Sequence, residues 1–452
     1  MGPASSSSTI FAPATGPGRA AIAIIRLSGP GCRDVCHRLT GRPTPPPRHA
    51  ALRALSDPLT GETLDRGFVL WCPGPASVTR EDILELHVHG GRAVVGGLLE
   101  ALAGVPGLRP AEPGEFTKRA FLNGRLDLTA AEGLADLIEA ETRSQARQAL
   151  RQLDGELGRI YERWREQLVG ALALLEAEID FAPEEEVPDG LIERVGPAIA
   201  RLKAEIAGHL DDGRRGERLR EGITVAVIGP PNAGKSSLVN RLARRDVAIV
   251  TARPGTTRDV LEVHLDLGGC PVTVLDTAGL REASDEIEAE GVRRARAGAE
   301  RADLRLALFD GGAWPGIDPA TYAMIDQDTV LTVNKADLGG LPAAPSIAGR
   351  PAQAISCLTG EGLDGLLGAL SAAAARLAGA GGGPAITRSR HRAALHEALD
   401  GLERFCAAPP GTELALLAEE LRWAARALGR ITGRVAVEDV LDRIFSDFCI
   451  GK

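Results

Sequence analysis

The stretch Gly229-Pro230-Pro231-Asn232-Ala233-Gly234-Lys235-Ser236 constrains this chain more than any other. It has the form G-x-x-x-x-G-K-[ST]. It directly follows the β-branched run Ile223–Ile228 and opens a segment with helical spacing. Strand, glycine-bounded loop and helix in that order turn backbone N–H groups inward around phosphate oxygens. Lys235 then supplies charge to the β- and γ-phosphates, and the Ser236 hydroxyl is a Mg2+ ligand. Val272–Leu275, Leu304–Phe309 and Val330–Val333 read as further buried strands separated by helical segments. That alternation predicts a mostly parallel sheet with helices on both faces.

Two more motifs stand at the ends of those strands. Asp276-Thr277-Ala278-Gly279 follows Leu275, so Asp276 reaches Mg2+ through water and the Gly279 N–H senses the γ-phosphate. Asn334-Lys335-Ala336-Asp337 follows Val333. The Asp337 carboxylate accepts twice, matching the N1–H and 2-amino group of guanine, a donor pair that adenine lacks. Ser356-Cys357-Leu358 falls where a loop backs the base. The predicted ligand is GTP or GDP. Some GTPases place a water-orienting Gln directly after the D-x-x-G glycine; here that position is Leu280. Glu282 is the nearest candidate, and spacing alone leaves it open between a water-orienting acid and a solvated charge.

A chain of 452 residues predicts two to four domains. Before the nucleotide motifs, Ala20–Leu27 and Ile83–Val88 read as strands, the latter ended by His89-Gly90-Gly91, in an α/β or α+β unit. The stripe Leu150, Leu153, Leu157, Ile160, Trp164, Leu168, Leu172, Leu175 and Ile179 predicts one long helix, stopped by Pro183 and the run Glu184–Glu186. Val195, Ile199, Leu202, Ile206 and Leu210 predict a second helix. The charged tract Arg214–Arg220 reads as a boundary and Ala378–Pro384 as a flexible linker. Helical stripes then return at Leu395, Leu399 and Leu402, and at Leu414, Leu417, Leu421 and Leu428. The expected architecture is multidomain: an N-terminal α/β domain (1–123) and an all-α domain in two parts (124–217 and 381–452). A P-loop GTPase domain (218–380) is inserted between those parts.

Charge narrows the partners. Acids outnumber bases 61 to 52, giving net charge -9, and aromatics are 3%. This argues against a broad basic face or stacking platforms for nucleic acid, while local basic patches remain compatible. Seven scattered cysteines read as reduced thiols of a cytoplasmic protein. Cys32, Cys36 and His37 lack a second ligand pair at zinc spacing. No apolar run approaches the ~18 residues of a membrane span, and Met1–Ser8 lacks the pattern of a secretion signal. Cys449 is not a prenylation site, because Gly451 and Lys452 do not fit C-a-a-X.

Over nearly its whole length the sequence resembles the bacterial tRNA-modification GTPase family MnmE, also called TrmE. The likeness rests on Gly229–Ser237, Gly255-Thr256-Thr257-Arg258-Asp259, Asp276–Glu290, Pro113–Asn123 and the terminal Phe448-Cys449-Ile450-Gly451-Lys452. The resemblance implies a potassium-stimulated GTPase that dimerises through its N-terminal domains. It implies a heterocomplex with an FAD-dependent, MnmG-like protein, the flavin being the partner's. Together the two would modify C5 of the wobble uridine of certain tRNAs, adding an aminomethyl or carboxymethylaminomethyl group. The one-carbon donor would be 5-formyl- or 5,10-methylene-tetrahydrofolate.

Residue by residue, the resemblance implies K+ on Asn232, Thr251, Thr256 and the Arg253 backbone. Thr257 joins Ser236 on Mg2+, and Glu282 orients water. Ala233, Gly234, Lys235, Ser237, Thr251, Thr256 and Thr257 belong to the nucleotide site. Arg26, Glu85, Arg125 and Lys452 fall on folate positions, where surface salt bridges are the plain alternative. Cys449 is a candidate functional thiol beside them. The rival function is a GTP-switched RNA-binding or ribosome-assembly module without modification chemistry. Against it, the tail after Pro384 is helical and apolar-striped, with no RNA-fold motif.

Overall fold

A computed structural model describes residues 8–181, 191–249, 262–276, 301–379 and 383–435, together with 441, 444–445, 448 and 451. Two compact units divide the chain. One comprises residues 1–135, 153–162 and 428–452, the other 136–152 and 163–427.

The first unit is built on strands β1 (Thr9–Pro13), β2 (Ala20–Ser28), β3 (Ala51–Ser56), β4 (Thr63–Cys72), β5 (Ile83–Gly90) and β6 (Leu108–Pro110). They form one sheet in the order β3-β4-β5-β2-β1-β6. The β1/β6 pair is parallel and the others are antiparallel. Alternation along the strands sends Ala23, Ile25 and Leu27 of β2 to one face, with Val69 and Trp71 of β4 and Leu84, Leu86 and Val88 of β5. Helices α1 (Cys32–Thr40) and α2 (Arg92–Ala103) cover that face with Val35, Leu39, Leu98 and Leu102. Each large aliphatic side chain so buried is worth roughly 1.5–3 kcal/mol. The strand expected to end at Val88 continues through His89 and Gly90. Gly90 pairs with Ala20, and a Cβ there would overlap the Ala20 carbonyl.

Helix α3 (Glu115–Leu122) is tied to this sheet by buried charge. Arg119 donates to Glu115 Oε1 at 2.9 Å, to Glu81 Oε2 at 3.0 Å and to the Ser8 carbonyl at 3.1 Å. Arg109 makes a second two-pronged contact with Glu115, at 2.7 and 2.5 Å. Helix α4 (Leu128–Glu139) follows; Leu128 and Ala131 pack with Leu441, Phe445 and Phe448 from the C-terminal segment. Gly451 is buried against Pro13 at φ +98°, where a Cβ would overlap the Pro13 carbonyl.

The second unit contains the inserted α/β sheet. Its strands are β7 (Ile223–Ile228), β8 (Glu262–Leu267), β9 (Cys270–Asp276), β10 (Leu304–Asp310), β11 (Val330–Asn334) and β14 (Gln353–Ala354); β12 (Ser346–Ile347) and β13 (Arg350–Pro351) make a separate hairpin. The order is β14-β11-β10-β7-β9-β8, parallel except for β8/β9. One face buries Val225 and Val227 under helices α9 (Lys235–Leu242) and α11 (Leu363–Ala378). The other buries Ala226, Ile228, Ala307 and Phe309. A short helix α10 (Pro319–Tyr322) lies between β10 and β11 in sequence.

The single long helix expected from Leu150 to Ile179 is two helices, α5 (Arg143–Leu153) and α6 (Glu156–Phe181). Gly155 separates them at φ +81°, a left-handed turn that no helix continues through. Leu150 consequently faces outward and is 48% exposed, while Leu157, Tyr161, Trp164, Leu168 and Leu175 are buried. Helix α7 (Leu191–Leu210) buries Val195, Ile199, Leu202 and Ile206 as expected. Trp164 Nε1 donates to Glu205 Oε2 at 3.0 Å, joining α6 to α7. Helix α12 (Ser389–Ala407) packs on α7, and α13 (Leu414–Thr432) carries the last stripe.

The tract Arg214–Arg220 is mostly helix, α8 (Arg215–Glu221). Arg218 pairs with Asp303 at 2.9 Å, and Arg220 with Asp136 at 3.0 Å. Buried Glu217 takes Arg214 at 2.8 Å and Arg392 at 3.3 Å. The high local charge there is ion-paired. Of the expected linker, residues 380–382 lie outside the described residues.

Candidate functional site

The carboxyl ends of four neighbouring parallel strands converge on one edge of the second unit's sheet, the place where open α/β sheets bind ligands. β7 ends at Ile228, and Gly229 passes so close to β10 that a Cβ would overlap the Leu308 carbonyl. Asn232 adopts φ +65°, which Asn tolerates better than most residues. Gly234 follows at φ +99°, and a Cβ there would overlap Asn334 Nδ2. Lys235 opens α9, its Nζ donating to the Gly229 and Pro230 carbonyls at 2.9 Å each. Ser236 and Ser237 occupy the first turn of the same helix. The loop between β7 and α9 is thus closed on itself by the lysine.

Asn334 is the hub of the base side. It is buried, donates through Nδ2 to the Ala233 carbonyl at 2.8 Å, and accepts the Cys357 N–H on Oδ1 at 3.0 Å. One side chain thereby joins the phosphate loop to the loop after β14. Asp337 is exposed at its backbone turn, and its Oδ1 accepts the Ser356 hydroxyl at 2.5 Å. Ser356, fully buried, also accepts the Thr359 N–H at 3.1 Å, so its hydroxyl is aimed at Asp337. Leu358 is 79% exposed. Burial pushes the Cys357 thiol up to about 11, which leaves it protonated and makes its backbone the useful part.

Lys335 has φ +65°, and its ammonium lies 2.6 Å from Asp310 Oδ2 at the end of β10. Partial burial works to raise the Asp310 carboxyl. The hydrogen bonds from Lys335 and the Gly312 N–H, with the lysine charge, outweigh it and hold the group below the ordinary carboxylate range. The sequence reading did not single out Asp310, which pairs with Lys335 of the Asn334–Asp337 motif. The available signal was its position as the polar last residue of a buried strand.

Asp276 closes β9, and its backbone lies in register with Val227, two residues before Gly229. Ser236, in the first turn of α9, offers a hydroxyl oxygen, a hard donor of the kind Mg2+ takes. Thr251, Arg253, Thr256, Thr257, Thr277, Ala278, Gly279 and Glu282 lie outside the described residues.

In the first unit, Arg26 on β2 stands directly across from Glu85 on β5. Arg26 Nε and Nη2 each lie 2.9 Å from Glu85 Oε1, and His87 Nε2 lies 3.2 Å from Glu85 Oε2. The row faces away from the helix-covered core, with Ile22 60%, Leu52 65% and Phe68 49% exposed on the same sheet. The salt-bridge alternative for Arg26 and Glu85 is thus realised as a cross-strand pair on an open face. His87 was missed, although two residues' spacing on an alternating strand puts it beside Glu85. Arg125 is exposed in the turn between α3 and α4, and among the described residues its side chain does not join that row. Lys452 and Cys449 lie outside the described residues.

Comparison with known proteins matches residues 9–125 to the family model described as GTP-binding protein TrmE N-terminus. Residues 128–449 match the model described as MnmE helical domain. A protein of Parvibaculum lavamentivorans named tRNA modification GTPase MnmE is 57% identical over 98% of this chain and 100% of its own length. One of Paramagnetospirillum magneticum with the same name is 56% identical over 99% and 100%. A human protein named 5-taurinomethyluridine-[tRNA] synthase subunit GTPB3, mitochondrial, is 50% identical over 99% of this chain and 94% of its own.

Proposed function

This chain belongs to the MnmE family of tRNA-modification GTPases, and from that premise we propose that it is a potassium-stimulated GTP hydrolase whose cycle drives modification of C5 of the wobble uridine. The chain acts as a cytoplasmic homodimer with an FAD-dependent, MnmG-like partner. The one-carbon unit comes from a tetrahydrofolate, and the product carries an aminomethyl or carboxymethylaminomethyl group.

The observation that supports this reading best is the single hydrogen-bonded unit made by Ala233, Asn334, Cys357, Ser356 and Asp337. Asp337 accepts from guanine N1–H and the 2-amino group while Ser356 holds its carboxylate in plane. Asn334 sets the distance between base and phosphates. Lys235 leaves its two carbonyl partners to meet the β- and γ-phosphates. Ser236 and Thr257, with Asp276 through water, hold Mg2+; Asn232, Thr251, Thr256 and the Arg253 carbonyl hold K+. The two cations supply positive charge where phosphoryl charge develops. Glu282 orients the attacking water, since Leu280 has no group to do so. On the N-terminal sheet, Glu85 accepts from the pteridine amino edge. Arg26, Arg125 and Lys452 suit the glutamyl carboxylates, and Cys449 lies in the same C-terminal tetrapeptide as Lys452.

Deleting the gene should remove the C5 wobble modification from the strain's tRNA. Wild-type chain should restore it, and Gly234→Ala should not. Normal modification in the deletion strain would overturn the reading. Turnover of GTP should be about tenfold or more faster in K+ than in Na+ at equal ionic strength, and equal rates would strike the cation from the mechanism.

A further inference from the structure

Helix α5 has two unlike faces. Inward, Gln145 Nε2 donates to the Arg220 carbonyl and Gln148 Nε2 to the Gly216 carbonyl, both at 3.0 Å, while Ala149 and Gln152 are buried. Outward stand Arg143 and Arg147, both exposed, with half-buried Arg151 and the exposed Leu150. The helix reads Arg-Ser-Gln-Ala-Arg-Gln-Ala-Leu-Arg-Gln-Leu, with three arginines and no acid, in a chain of net charge -9.

The arginines recur every four residues, so the row runs about 12 Å along one side of the helix. Arg147 donates to Ser144 Oγ at 3.0 Å, and among the described residues neither Arg143 nor Arg147 is ion-paired. In the same unit Arg404 is paired with Glu420, and Arg422 with Glu176 and Glu419. Arg143 and Arg147 are exposed charge that no described acid neutralises.

We propose that the outer face of α5 docks on the phosphate backbone of the tRNA substrate. This rests on the functional reading above. Guanidinium forks match phosphate oxygens, and a helix without acids imposes no repulsion on them. A membrane surface fits worse, because an interfacial helix needs an apolar face. The inner face of α5 is instead hydrogen-bonded to α8, and Leu150 is its one strongly exposed apolar residue. Docking here would also place RNA one helix away from β7, because α8 leads directly into the strand that feeds the phosphate loop.

The test is binding of an unmodified tRNA transcript to the full chain across a salt series. Each phosphate contact adds about 0.7–0.9 to the slope of log affinity against log salt. The double variant Arg143→Gln/Arg147→Gln should therefore lose about 1.5 from the slope and bind at least about fivefold more weakly. The corresponding double change to Lys should retain the slope. Should the Gln double fold poorly, Arg143→Gln alone should still lower the slope by about one contact. Equal slopes for wild type and the Gln variants, with wild-type binding intact, would overturn the α5 surface alone. Loss of binding to anionic phospholipid vesicles with unchanged tRNA binding would overturn it likewise. Failure of the wild-type chain to bind tRNA would remove both this surface and the functional reading beneath it.

Discussion

In the nucleotide-site sheet, β7, β10 and β11 are buried almost continuously, whereas β2, β4 and β5 of the N-terminal sheet alternate between buried and open positions. Helices on both faces of the parallel sheet leave no strand face for a ligand, so its polar groups gather on loops beyond the strand ends. The antiparallel sheet has one face under α1 and α2 and another carrying Arg26, Glu85 and His87 within the strands. Chemistry in the first case is separable from the sheet's packing. In the second the polar row Arg26, Glu85 and His87 is itself part of the cross-strand pairing.

Asp337→Asn gives the largest expected effect. GTP affinity should fall by at least about 1000-fold, because a site built for a donor pair rejects its mismatch strongly. Xanthine nucleotides should gain affinity, because the new amide matches the 2-oxo group. Thermal stability should hardly move, and a large loss of stability would break the separation of loop chemistry from sheet. Glu282→Ala should lower turnover about 100-fold, within the range for a positioned acid or base, at unchanged GTP affinity. Weakened nucleotide binding in that variant would reassign Glu282.

The N-terminal sheet should respond the other way. Burial works to raise the Glu115 carboxyl, but Arg109, the Glu112 N–H and Arg119 outweigh it and hold it below its ordinary value. A lowered carboxylate value means its stabilisation is complete above the ordinary Glu value of about 4.3 and is lost as pH falls through the folded value. Glu115→Gln should therefore cost about 3 kcal/mol at neutral pH, the low end for breaking a buried pair. The deficit should shrink in acid, as followed by denaturant unfolding at several pH values. A pH-independent deficit would exclude the ion pair as its source. The smallest effect is expected for Glu85→Ala, about tenfold weaker binding of a reduced folate with GTP turnover nearly unchanged. Calorimetry showing equal folate affinity would detach folate from this face.

Residues contiguous in sequence were legible because a short backbone turn largely determines their geometry. Gly229 to Lys235 joins strand β7 to helix α9, and Asn334 to Asp337 stands at the end of β11, the strand–loop order read from the sequence. Gly155 was legible as a residue but not as a break, since apolar spacing on either side is compatible with one continuous helix. Asp310 and His87 were overlooked because nothing in their own neighbourhoods names a partner; Lys335 and Glu85 do so only after folding.

The sequence by itself determined the family, the guanine-nucleotide motifs and the alternation that makes one sheet parallel and twice-covered. Those properties reside in local residue order, which sets periodicity and the conformations open to each turn. Only the tertiary structure decided that Arg26 meets Glu85, that Arg119 joins Glu115 to Glu81, and that α5 turns glutamines toward α8 and arginines to solvent. The physical reason is register. A cross-strand or cross-helix partner is set by how distant segments pack, and a one-residue slip or one left-handed glycine redirects every side chain beyond it.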